Sequence, residues 1–190
     1  MFGWYMGIAA LLSIYPAWVT MKFSTAFCFV SSGVSVISHN TNKRSKLGLV
    51  DFIQFGSAFW LTTFMFFMTL ESMLNHHYGF SWLGVRESLE VQSERPGEPS
   101  MSTMFGFVSS GVYLIGSVFG NVRFIKNPIA WFLMGIGGMC LLGYILQISL
   151  LYFRIPGFSS AMAFHTGAGF IALGGALSLS KEFEENQCLG

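Results

Sequence analysis

The chain has 190 residues, of which 53% are hydrophobic and only 10% are charged, and its formal net charge is +1. A soluble domain usually carries about 25% charged residues, because its surface must be solvated. The composition therefore argues against a soluble globule, and the near-neutral charge without a basic stripe gives no support to nucleic-acid binding. It predicts an all-α, polytopic membrane helix bundle.

Long uncharged runs follow one another along the chain, each near or above the roughly 20 apolar residues that cross a bilayer as a helix. They predict about six transmembrane helices in a single membrane domain, at residues 2–17, 22–38, 49–74, 101–120, 128–153 and 158–180. The first run lacks a basic segment and a small-residue cleavage site, so we interpret it as a retained span. Residues 75–100 form a long loop.

The charges between the runs predict the orientation. Basic residues accumulate in two short loops and after the last span, at Lys43, Arg44, Lys46, Arg123, Lys126 and Lys181. The loop at 75–100 instead carries more glutamates than arginines. Because Lys and Arg favour cytoplasmic loops, we expect both termini in the cytoplasm and residues 75–100 outside, in a bacterial inner membrane.

A six-residue run, FVSSGV, occurs at residues 29–34 and again at 107–112. A Ser-Thr pair precedes both copies, and a looser third copy begins with His-Thr. Aligned on the threonine, the three copies are Ser24, Thr25, Phe29, Gly33; Ser102, Thr103, Phe107, Gly111; and His165, Thr166, Phe170, Gly174. Residues four apart lie on one helical face, so each copy places a hydroxyl, a ring and a glycine in line.

The repeat predicts how the helices are arranged. By the orientation above, all three helices start outside and run inward, each as the second member of a pair, which makes three parallel helix-pair repeats. Gly33, Gly111 and Gly174 permit close helix packing, and the Ser-Thr or His-Thr pair of each copy is expected to cap a helix start. The alternative reading is a ligand pocket built from the same three ends.

Three stretches carry a family resemblance: PAWVTMKFSTAFCFVSSGVSVI, ERPGEPSMSTMFGFVSSGVYLI and FRIPGFSSAMAFHTGAGFIALGGALSLS. They resemble the multispan input modules of bacterial sensor histidine kinases and diguanylate cyclases, in which Asn-Thr-Ala-x-x-Phe repeatedly opens a helix. Ser24 and Ser102 replace the family's Asn, whereas His165 and the late acidic Glu71 fit it. The resemblance implies a sensing fold. Since no output domain precedes Gly190, the chain is expected to act through a partner or to have been recruited to another task.

An ionisable residue within a span is a functional-site hypothesis, because its burial is costly. Glu71 and three histidines, His76, His77 and His165, are expected on the outer side. Two facing histidines can ligate a b-type haem, but no H-x3-H or HExxH spacing indicates a metal site. No resident cofactor is therefore expected, and no nucleophile motif indicates an enzyme.

These observations favour a non-enzymatic binding or interaction module that acts in the lipid bilayer through other membrane proteins. A small amphipathic ligand, such as a quinone or a lipid headgroup, is expected at Ser24, Thr25, Glu71, Ser102, Thr103, His165 and Thr166. Two alternatives stay open. One is a structural accessory subunit of a respiratory or photosynthetic complex, and the other is a b-type haem or quinone-linked electron-transfer protein.

Overall fold

The computed structural model describes residues 18–41, 48–74, 98–120, 122–153 and 159–180. Its regular structure in these ranges consists of five α-helices: α1 (Phe23–Thr41), α2 (Leu49–Leu74), α3 (Met101–Phe119), α4 (Arg123–Leu146) and α5 (Phe164–Leu179). The predicted first span at 2–17 and residues 75–97 of the predicted outer loop lie outside the described residues.

Three of the described helices, α2, α3 and α4, are long and apolar enough to cross a membrane, rather than the six predicted. Helix α5 has only 16 residues, which at 1.5 Å per residue falls short of a hydrocarbon core of about 30 Å. Helix α1 has 19 residues, but five of them are serines, which makes its average composition too polar. In the part of the chain that the structure describes, the all-helical class is confirmed.

The bundle buries polar side chains and exposes large apolar ones. Ser32, Ser35 and Ser110 are completely buried. Phe124 and Trp131 are 79% and 71% exposed, and many other aromatic and aliphatic side chains of α2, α3 and α4 are also exposed. Soluble monomers rarely expose such extensive apolar surface, so this distribution is compatible with a helix bundle in a bilayer.

Helices α1, α3 and α5 run parallel, with the three copies of the repeat at the same level. The rings of Phe29, Phe107 and Phe170 contact one another, with centroid separations of 4.8, 5.3 and 5.0 Å. At the helix starts, Val19 before α1 packs with Ala161 before α5, and the N–H of Met101 in α3 donates to Ser159 Oγ before α5. The three segments of the chain meet both before their first helical turns and at the phenylalanines. The three helices therefore begin at the same end of the bundle and run in the same direction.

Two of the three repeat glycines sit at close helix contacts, as predicted. A Cβ added at Gly111 in α3 would overlap the Thr62 side chain of α2. A Cβ at Gly174 in α5 would lie 2.7 Å from the carbonyl oxygen of Ala130 in α4. Helix α2 therefore packs along α3, and α4 along α5. Among the described residues, nothing lies within 4 Å of a Cβ added at Gly33.

The predicted span at 128–153 is displaced, since α4 begins at Arg123 and ends at Leu146. After Leu146 the chain adopts a left-handed conformation at Gln147, with φ of 56°, and folds back on the helix. A Cβ at Gly143 would lie 2.9 Å from the backbone nitrogen of Tyr152. Glycine at this position therefore allows the turn that ends α4. The hydropathy of the sequence cannot predict this tertiary contact.

Candidate functional site at the helix starts

The segments that precede α1, α3 and α5 meet at one end of the bundle, which we call the helix-start cluster (residues 18–25, 98–103 and 159–166). The backbone N–H of Met101 donates to Ser159 Oγ at 3.3 Å, which joins the second and third segments. The Trp18 ring stacks on Phe164 with centroids 5.4 Å apart, which joins the first to the third.

Tyrosines hold the segment before α5 in place. Tyr144 Oη in α4 donates to the carbonyl of Met162 at 2.8 Å, and the Met162 N–H donates to the Tyr152 carbonyl at 2.9 Å. These two bonds engage both backbone groups of Met162 outside a helix. They explain why α5 begins at Phe164 rather than at residue 158, where the predicted span began.

The three repeat threonines, Thr25, Thr103 and Thr166, are each only 2% exposed, which places them inside the cluster. At α3 and α5 the predicted capping by the Ser-Thr or His-Thr pair is wrong. At α3 the capping residue is Ser100, whose Oγ accepts from the Thr103 N–H. At α5 the capping position is Ala163, which has no side-chain cap.

Three polar atoms in the cluster have no hydrogen-bond partner among the described residues: Ser24 Oγ, Ser160 Oγ and His165 Nδ1. The side chains of Ser24 and Ser160 are only 5% and 4% exposed, so water does not bathe them. An unpaired buried hydroxyl costs about 1–3 kcal/mol, and folded chains normally pair such atoms. These three atoms therefore retain hydrogen-bonding capacity that a bound molecule can use.

Glu71 lies at the same end. In the antiparallel pair of α2 and α3, Gln54 contacts Ser117 and Thr62 lies against Gly111. The same register continues along α2 and brings Glu71 level with the first turn of α3. Its side chain is 5% exposed, so the predicted association of this carboxyl group with the helix starts agrees with the packing.

Two further ionisable side chains at this end were not among the predicted site residues. Lys22 is 5% exposed and Glu98 is 7% exposed, and they directly precede α1 and α3. The sequence alone places Glu98 in the predicted outer loop and Lys22 at the first residue of a predicted span. Their position one and three residues before a helix start is the signal that indicates a place in the cluster. Together with Glu71 they bring one cation and two carboxyl groups to it.

The predicted site residues thus converge, with a difference in their degree of burial. Ser102 is half-buried, and its Oγ lies 3.1 Å from Ser100 Oγ; His165 is also half-buried. His76 and His77, the other predicted haem ligands, lie outside the described residues. In the part of the chain that the structure describes, no three His, Cys, Asp or Glu side chains form a group able to hold a metal ion.

A second buried polar group lies at the opposite end of α1, α2 and α3, and sequence reasoning missed it. Gln54 is 1% exposed, and its Nε2 donates to the Leu114 carbonyl at 3.1 Å and to Ser117 Oγ at 2.8 Å. His39 Nδ1 lies 3.4 Å from both Gln54 Nε2 and Ser117 Oγ. We call this group, with Ser35 and Ser57, the Gln54 network.

The remaining members of the network join α1 to α2. Ser35 Oγ lies 2.6 Å from Ser57 Oγ and 3.5 Å from the Gln54 carbonyl. Polar side chains between helices act as hydrogen-bonded contacts in a membrane bundle, where hydrophobic driving force is weak. The single glutamine of the predicted span at 49–74 was the available signal, but its partners are set by the packing of three helices.

Lys126 is also more buried than a loop residue would be. It lies in the first turn of α4, is 6% exposed, and its Nζ donates to the carbonyl of Ser180 at 2.9 Å. Ser180 follows the last residue of α5, and a cation at a helix C-terminus is favourable because the helix dipole is negative there. Lys126 therefore stabilises the end of α5.

Comparison of the chain with protein-family models, with characterised proteins and with solved structures finds no match. The resemblance to sensor input modules therefore stays a prediction that rests on the repeated motifs.

Proposed function

We propose that this protein is a non-enzymatic membrane binding module that takes the polar head of a small amphipathic molecule at the helix-start cluster. The observation that carries the proposal is the set of buried polar atoms without partners among the described residues, Ser24 Oγ, Ser160 Oγ and His165 Nδ1. Ligand sites use a few convergent polar groups to fix the orientation of a bound molecule, and this end of the bundle brings such groups together beside aromatic rings.

The chemistry of the cluster indicates the kind of head group. Two serine hydroxyls can each donate and accept a hydrogen bond, and a neutral imidazole nitrogen can do either, depending on its tautomer. Neighbouring Trp18, Tyr144 and Phe164 rings, in contact at 4.9 to 5.9 Å, provide an aromatic wall. A carbonyl- or hydroxyl-bearing head with an apolar body, such as a quinone or a lipid, satisfies both features.

In this proposal all six predicted helices lie in a bacterial inner membrane, with the helix starts outside and both termini in the cytoplasm. The burial of Ser31, Ser32 and Ser35 supports a place for α1 in the bundle, because these hydroxyls do not meet lipid. Helix α5, though short, packs against α4 and α1. The bound state would be passed to a partner membrane protein, as the resemblance to sensor input modules suggests.

Native mass spectrometry after gentle extraction from membranes tests the proposal. We expect the wild-type chain to carry a discrete small-molecule mass, and Ser24→Ala combined with His165→Leu to lose it. Ser178→Ala is the matched control, since Ser178 is exposed and bonds only within its own helix, to Gly175. An unchanged bound mass in the double variant would contradict the proposal.

The same measurement addresses the alternative of an accessory subunit. A particle made up mainly of other polypeptides, in which the chain carries no small molecule, would favour that function instead. A particle with both a partner and a bound small molecule supports a binding module coupled to an output protein.

A further inference from the structure

Three helix N-termini meet in the helix-start cluster, because α1, α3 and α5 begin at the same end and run in the same direction. The aligned peptide dipoles of a helix place about half a unit of positive charge at its start. The three helices have 19, 19 and 16 residues, so each has a full dipole. The cluster therefore concentrates positive potential, which favours a negatively charged group.

The repeat assigns an equivalent capping position to all three helices. Lys22, Ser100 and Ala163 each stand three residues before the repeat threonine. Ser100 has φ of −65° and ψ of 150°, and its Oγ accepts from the Thr103 N–H. Ala163 has nearly the same conformation, with φ of −70° and ψ of 149°, but no side-chain cap forms there. The start of α5 has the backbone geometry of a capped helix without the cap.

This uncapped start of α5 is buried. The Gly167 N–H donates to the Ala163 carbonyl as the first bond of the helix, so the N–H groups of residues 164–166 have no acceptor within it. Ala163 and Thr166 are 4% and 2% exposed, which keeps most water away from this turn. Buried N–H groups are normally paired. The three donors can therefore bind an acceptor from another molecule.

Two buried hydroxyls provide an independent observation at the same place. Ser160 stands three residues before the capping position of α5, and Ser24 lies in the first turn of α1. The two starts adjoin, since Val19 packs with Ala161 and Ala163. Ser160 Oγ and Ser24 Oγ have no partner among the described residues, and their side chains are 4% and 5% exposed. Both hydroxyls can donate to the same acceptor.

The charged side chains of the cluster indicate how much negative charge it accepts. Lys22 holds the capping position of α1 and is 5% exposed. A cation at a helix start opposes the dipole, so negative charge close to Lys22 is stabilising. Glu98 precedes α3 and Glu71 is level with its first turn, so both carboxyl groups accompany the capped helix. Because they repel a second negative charge, the cluster favours a singly charged group over a doubly charged one.

We propose that the start of α5 binds the phosphodiester of a phospholipid head group. The phosphate oxygens accept hydrogen bonds from the N–H groups of residues 164–166 and from the hydroxyls of Ser24 and Ser160, and Lys22 contributes positive charge. This inference rests on the proposed function and names the ligand class of the same site. Hydrogen bonds from backbone N–H groups to an oxyanion are about twice as strong as those between neutral groups, which distinguishes this head from an uncharged one.

Thermal unfolding of the delipidated chain in a nonionic detergent tests the ligand class. The probes are dioctanoyl phosphatidylglycerol, dioctanoylglycerol with the same acyl chains but no phosphate, and inorganic phosphate without acyl chains. A molecule that binds only the folded state raises the melting temperature, and we expect only phosphatidylglycerol to raise that of the wild type. An equal increase with dioctanoylglycerol would overturn the role of the phosphate. An equal increase with inorganic phosphate would overturn the lipid as its source.

Two substitutions locate the binding. Ala163→Ser gives α5 the cap that Ser100 gives α3, so the new hydroxyl competes for the N–H groups and should weaken phosphatidylglycerol binding about tenfold. Lys22→Gln removes a charge, should weaken binding by a similar factor, and covers the case in which the serine does not fit. The controls are Ala172→Ser, exposed in the same helix, and Lys126→Gln, a buried lysine at the opposite end. Unchanged binding in both test variants would overturn the inference.

A further probe separates failure of this inference from failure of the proposed function. A short-chain quinone or dioctanoylglycerol that stabilises the wild type but not Ser24→Ala/Ser160→Ala, without an effect of phosphatidylglycerol, would mean that the cluster binds an uncharged head. Only the phosphate would then be wrong. The absence of stabilisation by every probe, the quinone included, would contradict both proposals.

Discussion

The two buried polar groups of this bundle differ in how well their hydrogen bonds are satisfied. In the Gln54 network, the amide nitrogen of Gln54 has two partners on α3 and the hydroxyls of Ser35 and Ser57 bond to each other. In the helix-start cluster, two buried serine hydroxyls and an imidazole nitrogen have no hydrogen-bond partner among the described residues. A buried polar group whose hydrogen bonds are satisfied by neighbouring helices holds those helices together. A buried polar group without a partner can still form a hydrogen bond with a ligand.

The difference indicates that the two ends of the bundle have different roles, one in holding the helices together and the other in binding. The Gln54 network joins α1, α2 and α3 at the end where α1 and α3 finish, so it sets their relative position. The helix-start cluster joins three chain segments through ring stacking and backbone bonds and leaves side-chain groups available. Changes of the same kind in the two groups should therefore have different effects, and the following predictions use that contrast.

The largest effect on stability is expected from Gln54→Leu. The change keeps the side-chain volume but removes the bonds to Leu114 and Ser117 and leaves the Ser117 hydroxyl with fewer partners. Interhelical polar contacts in membranes contribute about 0.6–1.7 kcal/mol, so we expect the free energy of unfolding in mixed micelles to fall by about 1–2 kcal/mol. Phe52→Leu, two residues away and 75% exposed, is the control and should change it little.

A smaller loss is expected from Ser117→Ala, which removes one acceptor of the Gln54 amide. We expect a decrease of about 0.5–1 kcal/mol in the free energy of unfolding, the usual net contribution of one hydrogen bond. The matched control is Ser109→Ala in the same helix, since the Ser109 hydroxyl donates only to the carbonyl of Phe105, which lies one turn earlier in α3. Equal losses in the two variants would show that the interhelical bond contributes nothing.

The smallest effect is expected from Ser24→Ala in protein stripped of lipid and small molecules. Removing a buried hydroxyl that has no partner relieves its desolvation cost, so the free energy of unfolding should stay unchanged or rise by up to about 1 kcal/mol. Chemical unfolding of the delipidated protein measures it. A loss as large as that of Ser117→Ala would mean that the Ser24 hydroxyl is bonded within the fold.

Several features of the fold were predictable because they depend on local composition. Charges bound the apolar runs, so α2 coincides with the predicted residues 49–74 and α3 differs from 101–120 by one residue. The repeated Thr-x3-Phe-x3-Gly spacing predicted three parallel helices with equivalent faces, and the contact of Phe29, Phe107 and Phe170 agrees with that. Six of the seven predicted ligand residues lie at one end for the same reason, whereas Glu71 is brought there by the antiparallel packing of α2 on α3.

The features that the sequence did not reveal depend on contacts between distant parts of the chain. The end of α4 is set by the return of the chain onto Gly143, so an apolar run that continues to residue 153 misled the prediction. The burial of Lys22, Glu98 and Lys126 arises from neighbouring segments that cover them. Gln54 finds partners 60 and 63 residues away, and no local pattern identifies such partners.

The most direct test of the account is a comparison of thermal shifts. The delipidated wild-type chain, Ser24→Ala/Ser160→Ala and Ser117→Ala would each be melted with and without an organic extract of the native membranes. A molecule that binds only the folded state raises the melting temperature. We predict that the extract raises the melting temperature of the wild type and of Ser117→Ala by the same amount, although Ser117→Ala melts at a lower temperature without the extract. For Ser24→Ala/Ser160→Ala we predict no increase. An undiminished shift in that double variant would contradict the assignment of the helix-start cluster as the binding site.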